Sequence, residues 1–371
     1  MLQDAYGRRL LLVGADVIWF SDALSARLRR DLARRMEAPP EAVVLAATHT
    51  HGSPQPDSRF RVGVHDAAWV ERLEAAIHEA AGEALAAAPV DCGLARGKAT
   101  VGPPVAVCRR RMAWHISRNG IGRRVQNLPN PRRPVDSDLS LLIMRDAGGQ
   151  ARAAIVHFCC HPVALPLGDR GGDYPGLLRA ALARRLGTDA IVFLQGFAGD
   201  IRPRLLHRPV GIKDRLVEIV LGRRFRPSRS GDAEWIAEML TRTAEAAVES
   251  EQTVSDIGFA ARHATMPLVD ANGREVGRSL DVTVWGLADD LTLVFASGEM
   301  LSGLSLRADV VSVGYANGMV GYVAPEQEYA GGGYEVDGFL ERFGMTARLS
   351  PSTGKAYEVL RDSLVDQVRA A

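Results

Sequence analysis

The sequence has no long apolar run, no excess of charge of either sign and little cysteine, and each lack removes a class of protein. Apolar stretches such as "AIVHFCC" and "LTLVFA" fall far short of the roughly 20 residues that a membrane-crossing helix needs. Lys and Arg total 45 against 44 Asp and Glu, a formal net charge of +1, so bulk electrostatics makes no case for nucleic acid or an anionic membrane as partner. Four cysteines, Cys92, Cys108, Cys159 and Cys160, form no disulfide framework in 371 residues and suit a reducing compartment. Cys159 and Cys160 lie in an apolar run without a Cys-x-x-Cys pattern and are expected as small core residues. The opening "MLQDAYGRRLLLVGADV" lacks a basic leader, a long apolar segment and a small-residue cleavage site, so a cytoplasmic location is expected. Repeats, low-complexity tracts and linkers are lacking too. What is there is 47% hydrophobic and 24% charged, an ordinary globular composition, and residues 1–371 read as one α/β domain.

The pattern of elements supports a mixed sheet with βαβ units. "RRLLLVGADV" reads as a buried strand, "SDALSARLRRDLARRME" as an amphipathic helix capped by Ser21 or Asp22, and "AVVLAATHT" as a second, parallel strand. A long helix, "AAWVERLEAAIHEAAGEALAAA", precedes a strand "DCGLARGKATV". Residues 108 to 136 are rich in Gly, Pro, Asn and Arg with little apolar periodicity, which predicts a long loop. "LSLLIMRD" and "ARAAIVHFCCHP" then form a hairpin around Ala147-Gly148-Gly149. A second αβ unit follows in "GGDYPGLLRAALARRLG" and "AIVFLQGFAGD", with Asp173 as helix cap and Gly187 as helix end. A basic loop over 202 to 231, the helix "AEWIAEMLTRTAEAAVES", a strand-rich region ending at "LTLVFASGE", a Gly-rich loop and a last helix complete the chain.

Three apolar runs end in potential metal ligands: "VVLAATHTH", "AIVHFCCHP" and "LTLVFASGE". Strands converging at one sheet edge bring His49, His51, His161 and Glu299 together. Imidazoles plus a carboxylate suit an open zinc site that leaves a position for water or substrate. No His-Glu-x-x-His helix is present, so the ligand set is a scattered one. His157 shares a strand face with His161 and lies beneath the site or in the core.

The order "THTHGSP", "FCCHPVAL", "GGDYPG", "LQGFAGDIRP", "ASGE" and "GYANGMVGYVAPEQEYAGGGYE" resembles the N-terminal catalytic domain of the neutral, non-lysosomal ceramidases, in the manner of a divergent short bacterial-type member. The resemblance implies one zinc ion held by His49, His161, Glu299 and Tyr322. It implies that His51 faces the scissile group as a proton carrier, and that Tyr334 helps hold the substrate carbonyl. An arginine of "CRRR" matches one in the family's Asn-Arg-Ser motif; Arg109 and Arg110 fit equally.

The departures are as informative. Where the family carries Asn-x-Gly-Asp-x-Ser-Pro-Asn, this chain has "FAGDIRPR": Gly199, Asp200 and Pro203 remain, and Arg202 replaces the serine. An enzyme serine at that place is excluded, while attack by zinc-activated water is not. Arg202 and Arg204, with Asp200 beside them, are expected on the substrate side, where guanidinium forks favour a small acidic ligand over a neutral ceramide head. The family's C-terminal immunoglobulin-like domain is absent from this sequence, and so is its opening segment, which leads one to expect an internal start. The expected function is zinc-dependent hydrolysis of an N-acyl C–N bond in a small polar or acidic substrate. An ester, lactone or carbohydrate substituent is the alternative target, and a non-catalytic zinc or ligand-binding relative is the alternative of another class.

Overall fold

The apolar runs become strands that are covered on both faces. In the strand Asp138–Asp146, Leu139, Leu141 and Ile143 face a layer of helices, and Leu142 faces a second sheet. Burial on both faces requires near-continuous apolar sequence rather than simple alternation. The computed structural model describes residues 1–117, 120–305, 307 and 309–371.

A five-stranded sheet runs in the order Ile191–Gln195, Ala151–Phe158, Asp138–Asp146, Cys92–Thr100, Gln252–Val254, with the first pair parallel and the others antiparallel. Helices Asp173–Leu186 and Asp232–Glu249 cover its outer face through Leu178, Leu182, Ile236 and Leu240. Its inner face presents Leu94, Leu142, Ile155 and Leu194 to Leu291, Leu293, Phe295 and Val313 of a four-stranded sheet. That second sheet is ordered Ile257–Val269, Glu275–Ala288, Leu291–Ala296, Val310–Val313, the last pair parallel. The expected first βαβ unit is present: Arg9–Ala15 and Val43–Ala47 are parallel and are joined through helix Asp22–Met36. Ser21 is its cap, accepting from the Leu24 N–H at 3.3 Å. Helices Asp22–Met36 and Thr353–Arg369 close the outer side of the second sheet. The layers are therefore helix, sheet, sheet, helix.

Two segments expected to be loops are ordered elements. Within 108–136, Arg110–Ser117 pairs antiparallel with Gly120–Asn127, and Ala106–Cys108 pairs with Ile201–Pro203. Arg118 and Asn119 of that expected loop lie outside the described residues. Within 202–231, Gly211–Leu221 is a helix. Both elements are largely solvated: Trp114 is 64% exposed and Ile219 is 79% exposed. Without a buried face, their sequences carry no clean apolar period. A smaller difference concerns Asp173. It is the first residue of its helix rather than the cap, and its carboxylate accepts from the N–H groups of Ala164 and Leu165 at 2.8 and 2.9 Å. Cys159 and Cys160 are free and buried, as expected.

The chain direction decides where chemistry can gather. Val43–Ala47, Ala151–Phe158, Leu291–Ala296 and Val310–Val313 all end at one edge, where Gly314–Asn317 crosses between the sheets. Gly314 N–H donates to Gln195 O at 3.0 Å, and Ala47 N–H donates to Tyr315 O at 3.1 Å. Carboxyl ends of parallel strands are the usual location for sites in open α/β sheets.

Close helix packing on the first sheet gives a stability test. A Cβ at Gly97 would stand 2.1 Å from the backbone oxygen of Ala247, whereas one at Gly93, on the same strand, meets nothing within 4 Å. Gly97→Ala is expected to lower the unfolding free energy by about 3 kcal/mol, and Gly93→Ala to change it by less than about 0.5 kcal/mol. Urea unfolding of the two variants checks this, and equal midpoints would contradict the packing.

Candidate metal centre

His49 and His161 are each placed by a chain turn just beyond a strand. His49 follows Val43–Ala47 with φ of +64°, a left-handed conformation that costs a non-glycine residue of order 1–3 kcal/mol. In that conformation its Nδ1 lies 2.7 Å from Ile18 O. His161 follows Ala151–Phe158, and its Nδ1 lies 2.9 Å from Ala198 O. A carbonyl only accepts, so both Nδ1 atoms carry the proton and both Nε2 atoms present lone pairs. Those two Nε2 atoms face each other at 3.0 Å.

Glu299 completes the convergence. Its Oε2 is 3.5 Å from His49 Nε2 and 3.6 Å from His161 Nε2, and it is buried without a hydrogen-bond partner. Burial, and next the neighbouring His49 and Arg109, hold the pKa of His161 well below the ordinary 6.5, which disfavours an imidazolium there. Two imidazole Nε2 atoms and a carboxylate oxygen without a hydrogen-bond partner thus meet at one point, an arrangement that a bound cation satisfies. Ligand atoms around a tetrahedral zinc with bonds of 2.0–2.1 Å stand roughly 3.3 Å apart, close to the spacing found. The donor set fits a divalent metal.

Tyr322 lies beside Glu299 because the short strands Glu299–Met300 and Tyr322–Val323 pair in parallel, with Glu299 opposite Tyr322. Its phenol is buried, and burial followed by the Glu299 charge raises its pKa well above the usual value. Arg109 Nη2 donates to the Tyr322 oxygen at 3.0 Å and to Gly199 O at 2.7 Å, and Nε donates to Glu335 Oε1 at 2.7 Å. Gly199 has to be glycine here, since a Cβ would stand 2.7 Å from Glu299 O.

The structure separates Arg109 from Arg110, which the sequence leaves equivalent. Arg109 bridges the strands Ala106–Cys108 and Arg110–Ser117, whereas Arg110 is consumed by Glu328 Oε2 at 2.8 Å, Glu335 Oε2 at 2.6 Å and Gly332 O at 2.9 Å. Tyr334 packs edge-on against Tyr322 with ring centroids 5.5 Å apart, and the cations of Arg109 and Arg342 each stand 5.7 Å from its ring centre.

His51 sits at the mouth. The residue is exposed, with its ring 5.1 Å from the His49 ring and 5.5 Å from that of His161. Crowding by protein is the largest cause of a pKa well below 6.5, followed by His49, Arg109 and Arg202. His49, His51 and His161 also form a group whose ligand atoms lie within 4.8 Å of one another. The two buried imidazoles therefore belong to two triads, one closed by Glu299 and the other by His51.

The remaining expected residues have surroundings of their own. Asp200 is buried, with Oδ1 accepting from Ser302 N–H at 2.8 Å and Oδ2 from Ser302 Oγ at 3.2 Å, so it ties down the turn that carries Glu299. Arg202 is half-buried against Phe225, and Arg204 lines a separate basic cavity of about 570 Å³ with Arg208, Arg223 and Arg226. His157 is bonded to Ser312 O at 3.1 Å in a cleft of about 540 Å³ between the sheets, which none of the centre's residues lines. Sequence reasoning missed Tyr315, which is fully buried at φ of +58° with its ring stacked on His49 at 4.0 Å. Its only sequence signal is its place two residues beyond the strand Val310–Val313.

With this geometry in hand, comparison with solved structures is decisive for the architecture. Neutral ceramidase from Pseudomonas aeruginosa superposes with a TM-score of 0.72 over 96% of this chain and 66% of that one, at 18% identity. The chain has a neutral ceramidase-like fold. A ceramidase complexed with C2 also matches at a TM-score of 0.72 and 18% identity, covering 98% of this chain and 69% of that chain. This chain spans about two thirds of the length of the ceramidases it matches. No family model and no curated protein matches it by sequence. Among the described residues no helix is long and apolar enough to cross a membrane.

The two triads give opposite expectations for metal content. With Glu299 as the third ligand, His49→Ala and Glu299→Ala lose bound zinc after reconstitution, while His51→Ala retains close to one equivalent. Mass-spectrometric metal analysis of folded protein checks this. Retention by Glu299→Ala together with loss by His51→Ala would make His51 the ligand instead.

Proposed function

We propose that this chain is a zinc-dependent hydrolase that cleaves an amide bond, an N-acyl C–N bond in a small polar or acidic substrate. The observation that carries the reading is the meeting of two imidazole Nε2 atoms and an unpartnered Glu299 Oε2 inside a neutral ceramidase-like fold. His49, His161 and Glu299 would hold the zinc, with Tyr322 as a labile fourth ligand. Zinc, when bound, acidifies water and polarises a carbonyl, which makes amide hydrolysis feasible near neutral pH.

The chain's own residues supply the rest. The Nδ1 contacts of His49 and His161 with Ile18 O and Ala198 O hold both rings in the tautomer that presents Nε2. His51, kept neutral by its surroundings, takes a proton as the amide is attacked and returns it to the leaving nitrogen. The phenol of Tyr334 donates a hydrogen bond to the carbonyl oxygen as negative charge develops on it. Arg109 fixes the Tyr322 oxygen and stands over the Tyr334 ring, so it holds both phenols relative to Glu299.

In a panel of ceramide, N-acyl amino acids and matched esters, zinc-loaded protein is expected to release amine from an N-acyl amide. His51→Ala should lower kcat by about 10²–10⁴-fold, and Tyr334→Phe by about 10²-fold with little change in KM. Turnover of esters alone would move the chemistry to the ester alternative. Silence across the panel with full zinc occupancy would leave a binding protein.

A further inference from the structure

Each arginine that the fold buries completely has a carboxylate. Arg29 holds Asp281 at 3.0 Å, Arg109 holds Glu335 at 2.7 Å, Arg110 holds Glu328 at 2.8 Å and Arg361 holds Asp362 at 2.8 Å. Arg202, half-buried, has none, whereas Arg278, also half-buried and without a carboxylate, donates to Val320 O and Phe343 O. The Arg202 guanidinium carbon lies 4.3 Å from the Phe225 ring centre, and its Nε is buried without an acceptor. No carboxylate pairs with it among the described residues. Burial, and next the charge of Arg109, bring its pKa down to about 10, the direction expected of a cation lacking its anion.

Its position ties this deficit to the metal centre. Arg202 lies on the strand Ile201–Pro203, opposite Val107 of Ala106–Cys108. The two residues before it hold the centre by their backbone: Ile201 O accepts from His161 N–H at 3.2 Å, and Asp200 O from Arg109 N–H at 2.8 Å. The Phe225 ring covers a face of the guanidinium and leaves the edge that carries Nε without an acceptor. That planar edge matches the paired oxygens of a carboxylate or phosphate.

We propose that Arg202, fixed by Phe225, anchors an anionic oxygen group of the ligand at the metal centre, a carboxylate or a phosphate, and so selects acidic over neutral N-acyl compounds. That the ligand is a substrate rests on the hydrolase reading; the anion preference itself does not.

Calorimetric titration with N-acetylglycine, its neutral analogue N-acetylglycinamide and inorganic phosphate tests the anchor without requiring turnover. Zinc-loaded wild-type protein is expected to bind N-acetylglycine or phosphate roughly ten- to a hundredfold more tightly than the neutral amide. Whichever of the two anions binds more tightly identifies the group. Arg202→Gln should abolish the preference and Arg202→Lys should keep part of it. Unchanged zinc content and thermal midpoint in both variants certify the fold. Equal affinity of wild-type protein for acid and amide, no binding of either anion, or a preference that survives in Arg202→Gln overturns the proposal. An Arg202-dependent preference without hydrolysis of any amide keeps the anchor and rejects the hydrolase. Hydrolysis with equal kcat/KM on acidic and neutral amides does the reverse.

Discussion

The arrangement at the sheet edge depends on one constraint: three lone-pair donors, His49 Nε2, His161 Nε2 and Glu299 Oε2, are held within 3.0–3.6 Å of one another in a buried site. Left to themselves they repel, and each buried donor without a partner carries a desolvation penalty of about 1–3 kcal/mol. The protein nonetheless fixes them. It spends a left-handed residue on His49, directs two backbone carbonyls at the Nδ1 atoms, and stacks Tyr315, itself at positive φ, on the His49 ring. Local strain and unmet polarity concentrated at one place are what a cradle for a cation requires, and a purely structural crossing of strands has no use for them.

Around the centre lies a second layer that settles its charge. Glu335 is shared between Arg109 and Arg110 through its two oxygens, and Glu328 between Arg110 and Arg133. Burial pushes the Glu328 carboxyl up, but Arg133 and Arg110 outweigh it and leave it ionised. Because these cations and carboxylates answer one another, Arg109 faces Tyr322 without importing an unbalanced positive charge beside the metal ligands. The network also explains why adjacent arginines have different duties. Arg109, between two strands, reaches the Tyr322 phenol, and Arg110, at the start of the next strand, is locked into the Gly-rich loop through Gly332 O.

Legibility in the sequence followed burial. The first βαβ unit, the hairpin Asp138–Phe158 and the covering helices could be read because faces packed against other layers impose apolar periods. His49, His161 and Glu299 could be read as strand-end residues for the same reason. The hairpin Arg110–Asn127 and the helix Gly211–Leu221 could not, because solvated elements owe nothing to a core and their arginines mask what pattern exists. Nor could the carbonyls of Ile18 and Ala198, which set both imidazole tautomers from 31 and 37 residues away. A backbone acceptor has no residue type, and its service depends on long-range registry that local pattern does not encode.

This division has a consequence for how such a site can change. The candidate metal cradle is made of strand ends, backbone carbonyls and a glycine that admits no side chain, Gly199, so its backbone is tied to the layers that position it. Arg202 is different in kind. It hangs from a two-stranded ribbon outside the main sheets, its side chain leaning on Phe225, and no other buried group depends on its hydrogen bonds. A residue so placed can be exchanged for one of another charge while the cradle persists. On the proposed reading, metal binding and ligand choice would be carried by physically separable parts of the molecule. A fold shared at 18% identity carries the architecture and leaves the chemistry of the site to be read from this chain's own residues.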